Sequence, residues 1–94
     1  MATSTISKNH EFFFNDLEMI IAADLNNLFN TNHIVRIVRT NSSTLNIPAD
    51  SFTGFCIHCQ TTSLWGVQLA MRVGDDKIYT RALANGTWSN WSTK

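Results

Sequence analysis

One spacing in the chain invites metal or redox chemistry, Cys56-Ile57-His58-Cys59. A structural zinc site draws its ligands from two such pairs, and the other histidines, His10 and His33, offer no second pair at a matching spacing. The surrounding residues read as a strand, where positions three apart point to opposite faces. Cys56 and Cys59 therefore cannot share one ion or close a relaxed disulfide. The expectation is two free, mostly buried thiols, with no metal and no cofactor.

Asp75-Asp76 is the one adjacent pair of acids. A glycosidase dyad needs its carboxylates about 5 to 9 Å apart across a cleft, whereas neighbouring acids beside Gly74 form turns. Asp50-Ser51 and Asp24-Leu25-Asn26 read as capping or turn hydrogen bonds. No Ser, Cys or Lys is framed as an activated nucleophile, so the chain is not expected to be an enzyme.

The aromatics near the C-terminus are the remaining chemical signal. Tyr79 and Trp88, with Arg81 between them on one face, can stack on a sugar ring or pack against a neighbouring subunit, because such side chains join a large apolar surface to a polar handle. Subunit packing is the stronger of the two readings.

Those residues are positioned by strands. From Trp65 to Val73 the apolar Trp65, Val67, Leu69, Met71 and Val73 alternate with Gly66, Gln68, Ala70 and Arg72, the period of a strand with one buried face. Gly74-Asp75-Asp76 turns the chain into a second strand, Lys77 to Leu83. Asn85-Gly86 turns it into a third, Thr87 to Trp91, and Asn-Gly suits the two positive φ angles of a type I′ turn. Two-residue turns at Asp75-Asp76 and Asn85-Gly86 would set Val73 opposite Ile78, Met71 opposite Thr80, Leu69 opposite Ala82, Ala82 opposite Ser89 and Thr80 opposite Trp91. One face is then apolar throughout, carries Trp91, and is the expected core side. The opposite face holds Gln68, Arg72, Tyr79, Arg81, Leu83, Trp88 and Asn90, too aromatic for an idle solvent face and too polar for a second core. Gln68, Arg72, Tyr79, Arg81, Trp88 and Asn90 are accordingly the candidate residues of a ligand site or a subunit interface.

Upstream, Asn15 as N-cap, Glu18, a Phe14–Met19 staple and the spacing of Leu17, Ile21, Leu25 and Leu28 predict a helix from about Asp16 to Phe29, or one that stops near Ala23 if Asp24-Leu25-Asn26 opens a turn. His33 to Arg39 alternates with apolar residues on both faces, which fits a central strand. Thr40 to Ser51 is a loop containing the only proline, Pro48, and Thr53 to Gln60 is a strand entered through Gly54. The fold class expected is mainly β, a small antiparallel sheet or sandwich with one short N-terminal helix.

Ninety-four residues suffice for one domain with a modest core. Charged residues make up 15% and the formal net charge is zero, which removes the electrostatic case for binding nucleic acid or an anionic membrane surface. No stretch approaches the roughly 18 consecutive apolar residues of a membrane span, and MATSTISKNHE lacks a basic start followed by an apolar run. Polarity comes instead from Asn, Ser and Thr.

Gln68 in one strand, Tyr79-Thr80-Arg81 in the next, the turn Asn85-Gly86-Thr87 and the terminal Trp88-Ser89-Asn90-Trp91 together resemble the C-terminal half of the pyocin knob domain of phage tail fibres and R-type pyocin fibres. Asp24-Leu25-Asn26 and Asn46-Ile47-Pro48 stand where that family has its Asp-Leu-Asn and Asn-x-Pro, so the resemblance covers roughly residues 24 to 94. It departs at Thr31-Asn32-His33-Ile34, where the family has a Gly, a small apolar residue and Tyr. The resemblance implies a knob over residues 14–94, with 1–13 as a tail or stalk junction, in a homotrimeric fibre or fibre-tip protein. Its partners would be other virion proteins of the tail or head and host cell-surface polysaccharide, after synthesis in a bacterial host cytoplasm. A minor variant, in which His58 on the Cys56 face meets its own copies across a three-fold axis, is the one metal or contact role left to it. The rival of another class is a monomeric carbohydrate-binding module built on the Tyr79, Arg81 and Trp88 face.

Overall fold

Seven strands join in one mixed sheet in the computed structural model, which describes residues 17–94. They are β1 (Leu17–Ile21), β2 (Val35–Thr40), β3 (Gly54–Gln60), β4 (Gly66–Arg72), β5 (Ile78–Ala84), β6 (Thr87–Trp88) and β7 (Ser92–Thr93). β2 to β5 form an antiparallel meander in chain order, β1 runs parallel to β2 at one edge, and β6 and β7 both pair with β5. The molecule is thus mainly β, and β2 is interior, as its two-sided apolar pattern suggests.

The helix expected over Asp16–Phe29 is corrected for its described part. Leu17–Ile21 is a strand, and no helix occurs among the described residues. The reason lies in Asp24-Leu25-Asn26-Asn27, whose side chains compete with helical backbone bonds. Asn26 N–H donates to Asp24 Oδ1 at 2.8 Å and Asn27 N–H to the Asp24 carbonyl at 3.1 Å, closing a tight turn. Leu25 and Leu28 are both buried, but by that turn. Asn15 and Phe14, the cap and staple, lie outside the described residues, as does the expected tail over 1–13.

The hairpin register is corrected by two residues at β4–β5. Met71 pairs with Ile78, Leu69 with Thr80 and Val67 with Ala82, because five residues, 73–77, connect the strands. Gly74 has φ +82°, and the Asp75 carboxylate accepts the Lys77 N–H at 2.8 Å and an Arg72 N–H at 2.9 Å, which stabilises this longer loop. A shift of two preserves the faces. At the next turn Leu83 pairs with Trp88 as expected, with Asn85 at φ +54° and Gly86 at +87°. Beyond it Thr80 pairs with Ser92 rather than Trp91. That one-residue offset moves Trp91 from the expected apolar face to the other side.

The larger correction concerns which face is covered. Arg36, His58, Gln68 and Arg81 form one cross-strand row, and Val38, Cys56, Ala70 and Tyr79 the next. Over them lie the turn at 24–28, the loop 41–53 and Trp91. Leu25, Leu28 and Phe52 are buried there, with Ile47 and Trp91 packed against both core clusters. The two loops are tied to each other by Leu25 N–H to the Leu45 carbonyl, 3.1 Å, and Leu45 N–H to the Ala23 carbonyl, 2.9 Å. Gly54 sits where an added Cβ would strike the Met71 carbonyl, so β3 and β4 need glycine at that point.

The expected core side is consequently open. Its rows are Val35, Cys59, Val67, Ala82; then Ile37, Ile57, Leu69, Thr80; then Arg39, Phe55, Met71, Ile78. Val67 is 53% exposed and Phe55 44%. Among the described residues no second sheet closes over it, and the loops layer against the other side.

Candidate functional site

Arg81 is the centre of the polar cluster on the covered face. It stands in mid-β5 beside Gln68 of β4, which stands beside His58 of β3, and this register places three polar side chains in line under the 24–28 turn. Arg81 is 7% exposed, Gln68 and His58 each 1%.

The bonds along the row fix every orientation. Arg81 Nε–H donates to Gln68 Oε1 at 2.7 Å. The Gln68 amide then donates to the Leu25 carbonyl at 2.6 Å and meets His58 Nδ1 at 3.0 Å. With one amide hydrogen for each of those two partners, His58 Nδ1 is the acceptor and the imidazole is neutral. Burial, aided by the Arg36 and Arg81 charges, lowers the His58 pKa to about 4. Its Nε2 is buried without a hydrogen-bond partner. Arg36 extends the row by donating to the Leu28 carbonyl at 2.7 Å.

The far end of Arg81 opens outward. Its guanidinium carbon lies 4.3 Å from the Trp88 ring centroid and 4.7 Å from that of Trp91, and an Nη2–H donates to Asn26 Oδ1 at 2.8 Å. No carboxylate pairs with it among the described residues. Loss of water lowers its pKa, against smaller opposing pulls that include the Asp24 charge. Beside it is a recess of about 290 Å³ lined by Asn26, Asn46, Arg81, Trp88, Asn90 and Trp91, among others. The walls are fixed by Asn46 Nδ2 donating to Asp24 Oδ1 at 2.7 Å and Trp91 Nε1 donating to the Asn46 carbonyl at 2.9 Å. Asn46 itself has φ +62°, a left-handed conformation that asparagine tolerates better than most residues.

The six candidate residues separate into two groups. Arg81, Trp88 and Asn90 reach the recess, with Gln68 buried behind Arg81. Arg72 and Tyr79 belong to a second cluster, in which Tyr79 O–H donates to Asp75 Oδ2 at 2.8 Å and Arg72 pairs with the same oxygen at 2.9 Å. The Tyr79 hydroxyl and the Lys77 N–H hold the Asp75 carboxyl down at about 2. The Tyr79 ring packs edge-on against Phe52, with centroids 5.3 Å apart, and so serves the core. Asp75 is thus a turn former.

Asn26, Asn46 and Trp91 complete the recess and were not singled out as site residues. Two of them stand in the Asp-Leu-Asn and Asn-x-Pro motifs, which carried a signal without a role. Cys56 is buried on the covered face, its thiol pushed up to about 12 by desolvation, while Cys59 is on the open face. His58, locked inside the subunit by Gln68, is not free to meet its copies across a three-fold axis. Among the described residues no cluster of His, Cys, Asp and Glu could hold a metal ion. No family model matches the chain, and neither a curated protein nor a solved structure is significantly similar to it.

Proposed function

We propose that the chain is a structural protein of a phage virion fibre or fibre tip, a homotrimeric knob that adjoins other virion proteins and contributes to attachment at host-surface polysaccharide. In this reading it performs no catalysis and needs no cofactor. The phage setting rests on the resemblance of residues 24 to 94 to the pyocin knob.

The observation that carries the assembly is the open sheet face. Twelve positions over four strands present one charged residue, Arg39, and a near-continuous apolar surface. That is on the order of 300 Å², a size at which an exposed patch marks an interaction site. The width of the apolar rows also suits a three-sided closure. The four strands that carry the rows, at ~4.8 Å each, span ~19 Å, and a prism whose sides are those four strands, with β1, β6 and β7 running past its edges, keeps each sheet ~5.5 Å from the axis, close to half the ~10 Å between packed sheets. The side chains of three copies would then fill the axis, and the Arg81 recess, on the opposite face of each sheet, would stay outside.

Light scattering at micromolar concentration is expected to give three times the chain mass. A clean monomer would sink this reading in favour of a carbohydrate-binding module, and a dimer would replace the prism by two sheets packed face to face.

A further inference from the structure

We infer that the recess beside Arg81 binds the carboxylate of an acidic sugar, with Arg81 as its charge partner and the asparagine amides as partners for the ring hydroxyls. This rests on the surface-attachment reading and names the class of glycan it would take.

Three observations carry it. The first is charge: Arg81 is nine-tenths buried, yet the groups its side chain touches are neutral, namely Gln68, Asn26 and two indole rings, and the Asp24 charge reaches it only through space, with no salt bridge. A buried cation is ordinarily paired, because removing it from water is costly. Asp24, the acid whose charge reaches Arg81, spends its oxygens elsewhere: they accept from Asn26 N–H, Asn46 Nδ2 and Asn27 Nδ2 and hold the recess wall.

The second is unused donors. A guanidinium has five N–H groups, and protein acceptors take two, at Nε and Nη2. The remaining three suit a carboxylate, whose two oxygens match the guanidinium fork.

The third is the lining. Asn26 turns its carbonyl to Arg81, leaving its NH₂ to donate, whereas Asn46 spends an N–H on Asp24, leaving its carbonyl to accept. Asn90 is exposed at the recess and adds a further amide. Donors and acceptors placed around one cation fit hydroxyls adjoining a carboxylate. The volume of about 290 Å³ suits a single sugar ring rather than a longer chain.

The test titrates the full chain with D-glucuronate, D-glucose and acetate while following the three tryptophan indole N–H resonances. Glucuronate is expected to shift the Trp88 and Trp91 signals saturably, leave Trp65 unmoved, and bind about tenfold tighter than glucose or acetate. Asn90→Asp, an exposed change that places a negative charge at the rim, is expected to weaken glucuronate about tenfold with an unchanged melt. Equal binding of glucose, equal binding of acetate, a response confined to Trp65, or no saturation by about 100 mM overturns the inference. Light scattering on the same samples separates the two claims. A trimer that ignores glucuronate leaves the fibre assembly standing, and a monomer that binds it leaves the site standing without the trimer.

Discussion

The two faces of the sheet invert the usual arrangement. The covered face carries Arg36, His58, Gln60, Gln68 and Arg81, while the open face carries Val35, Ile37, Phe55, Ile57, Val67, Leu69 and Ile78. Burial on the first side is made tolerable by bonds to the overlying turns: Gln68 to the Leu25 carbonyl and Arg36 to that of Leu28, with Arg81 to Asn26. The polar row acts as a set of hooks holding irregular backbone onto a sheet. The other side is apolar but for Arg39 and Thr80, a surface suited to cover by another apolar sheet. Polar residues on a strand can therefore mark the side facing the chain's own loops, where backbone carbonyls need donors.

The comparison can be broken most severely at Gln68. Gln68→Ala leaves the Leu25 carbonyl, His58 Nδ1 and Arg81 Nε without partners in a buried row, and is expected to cost about 3–5 kcal/mol in denaturant unfolding. A loss below about 1 kcal/mol would show that the row is wetter than its burial implies. Leu69→Glu sharpens the contrast from the other side. It puts a charge at the centre of the open face, where the expected result is collapse of the light-scattering mass to one chain with the far-UV β signal retained. Unfolding instead would show that the face belongs to the subunit's own core.

The smallest effect is a pH dependence, and its sign separates a buried neutral imidazole from a paired one. His58 is lowered from 6.5 to about 4 on folding, so as pH falls the unfolded chain takes up the proton first. Stability is fully present above 6.5, declines as pH falls toward 4 and is level below it, by roughly 1–3 kcal/mol in all. Midpoints measured across that window should follow this course. His58→Asn, which keeps an acceptor for Gln68, should flatten it, and an unchanged profile would assign the dependence to the carboxylates.

The sequence made the strands and the Asn85-Gly86 hairpin legible, because period-two alternation and paired positive φ are local properties. The five-residue loop at 73–77 was hidden, since it depends on the Asp75 carboxylate collecting donors from Arg72, Lys77 and Tyr79, an arrangement that exists only once the hairpin has formed. Trp91 was misplaced by a single-residue offset that leaves no mark on the apolar pattern. The helix was read from the spacing of Leu17, Ile21, Leu25 and Leu28, a pattern that outweighed the turn preference of Asp24-Leu25-Asn26. The covered side could not be read at all from the strands: alternation names two faces, and only the landing place of Phe52, Ile47 and Leu25 decides between them. In the recess, Arg81, Trp88 and Asn90 were visible as a polar and aromatic cluster on one strand face. Asn26 and Asn46 arrive from loops distant in sequence, so no spacing rule could have joined them.

The two cysteines acquire a use from the split between the faces. Cys56 is sealed beneath the loops with its thiol held protonated, while Cys59 stands in the open row between Val35 and Val67. Thiolate is the reactive form, so an alkylating reagent added to the folded chain meets one thiol whose access is set by whatever rests on the open face and another whose access requires the loops to lift. The ratio of the two modification rates is a built-in clock with two hands, one timing the uncovering of the open face and the other the lifting of the loops from the covered one.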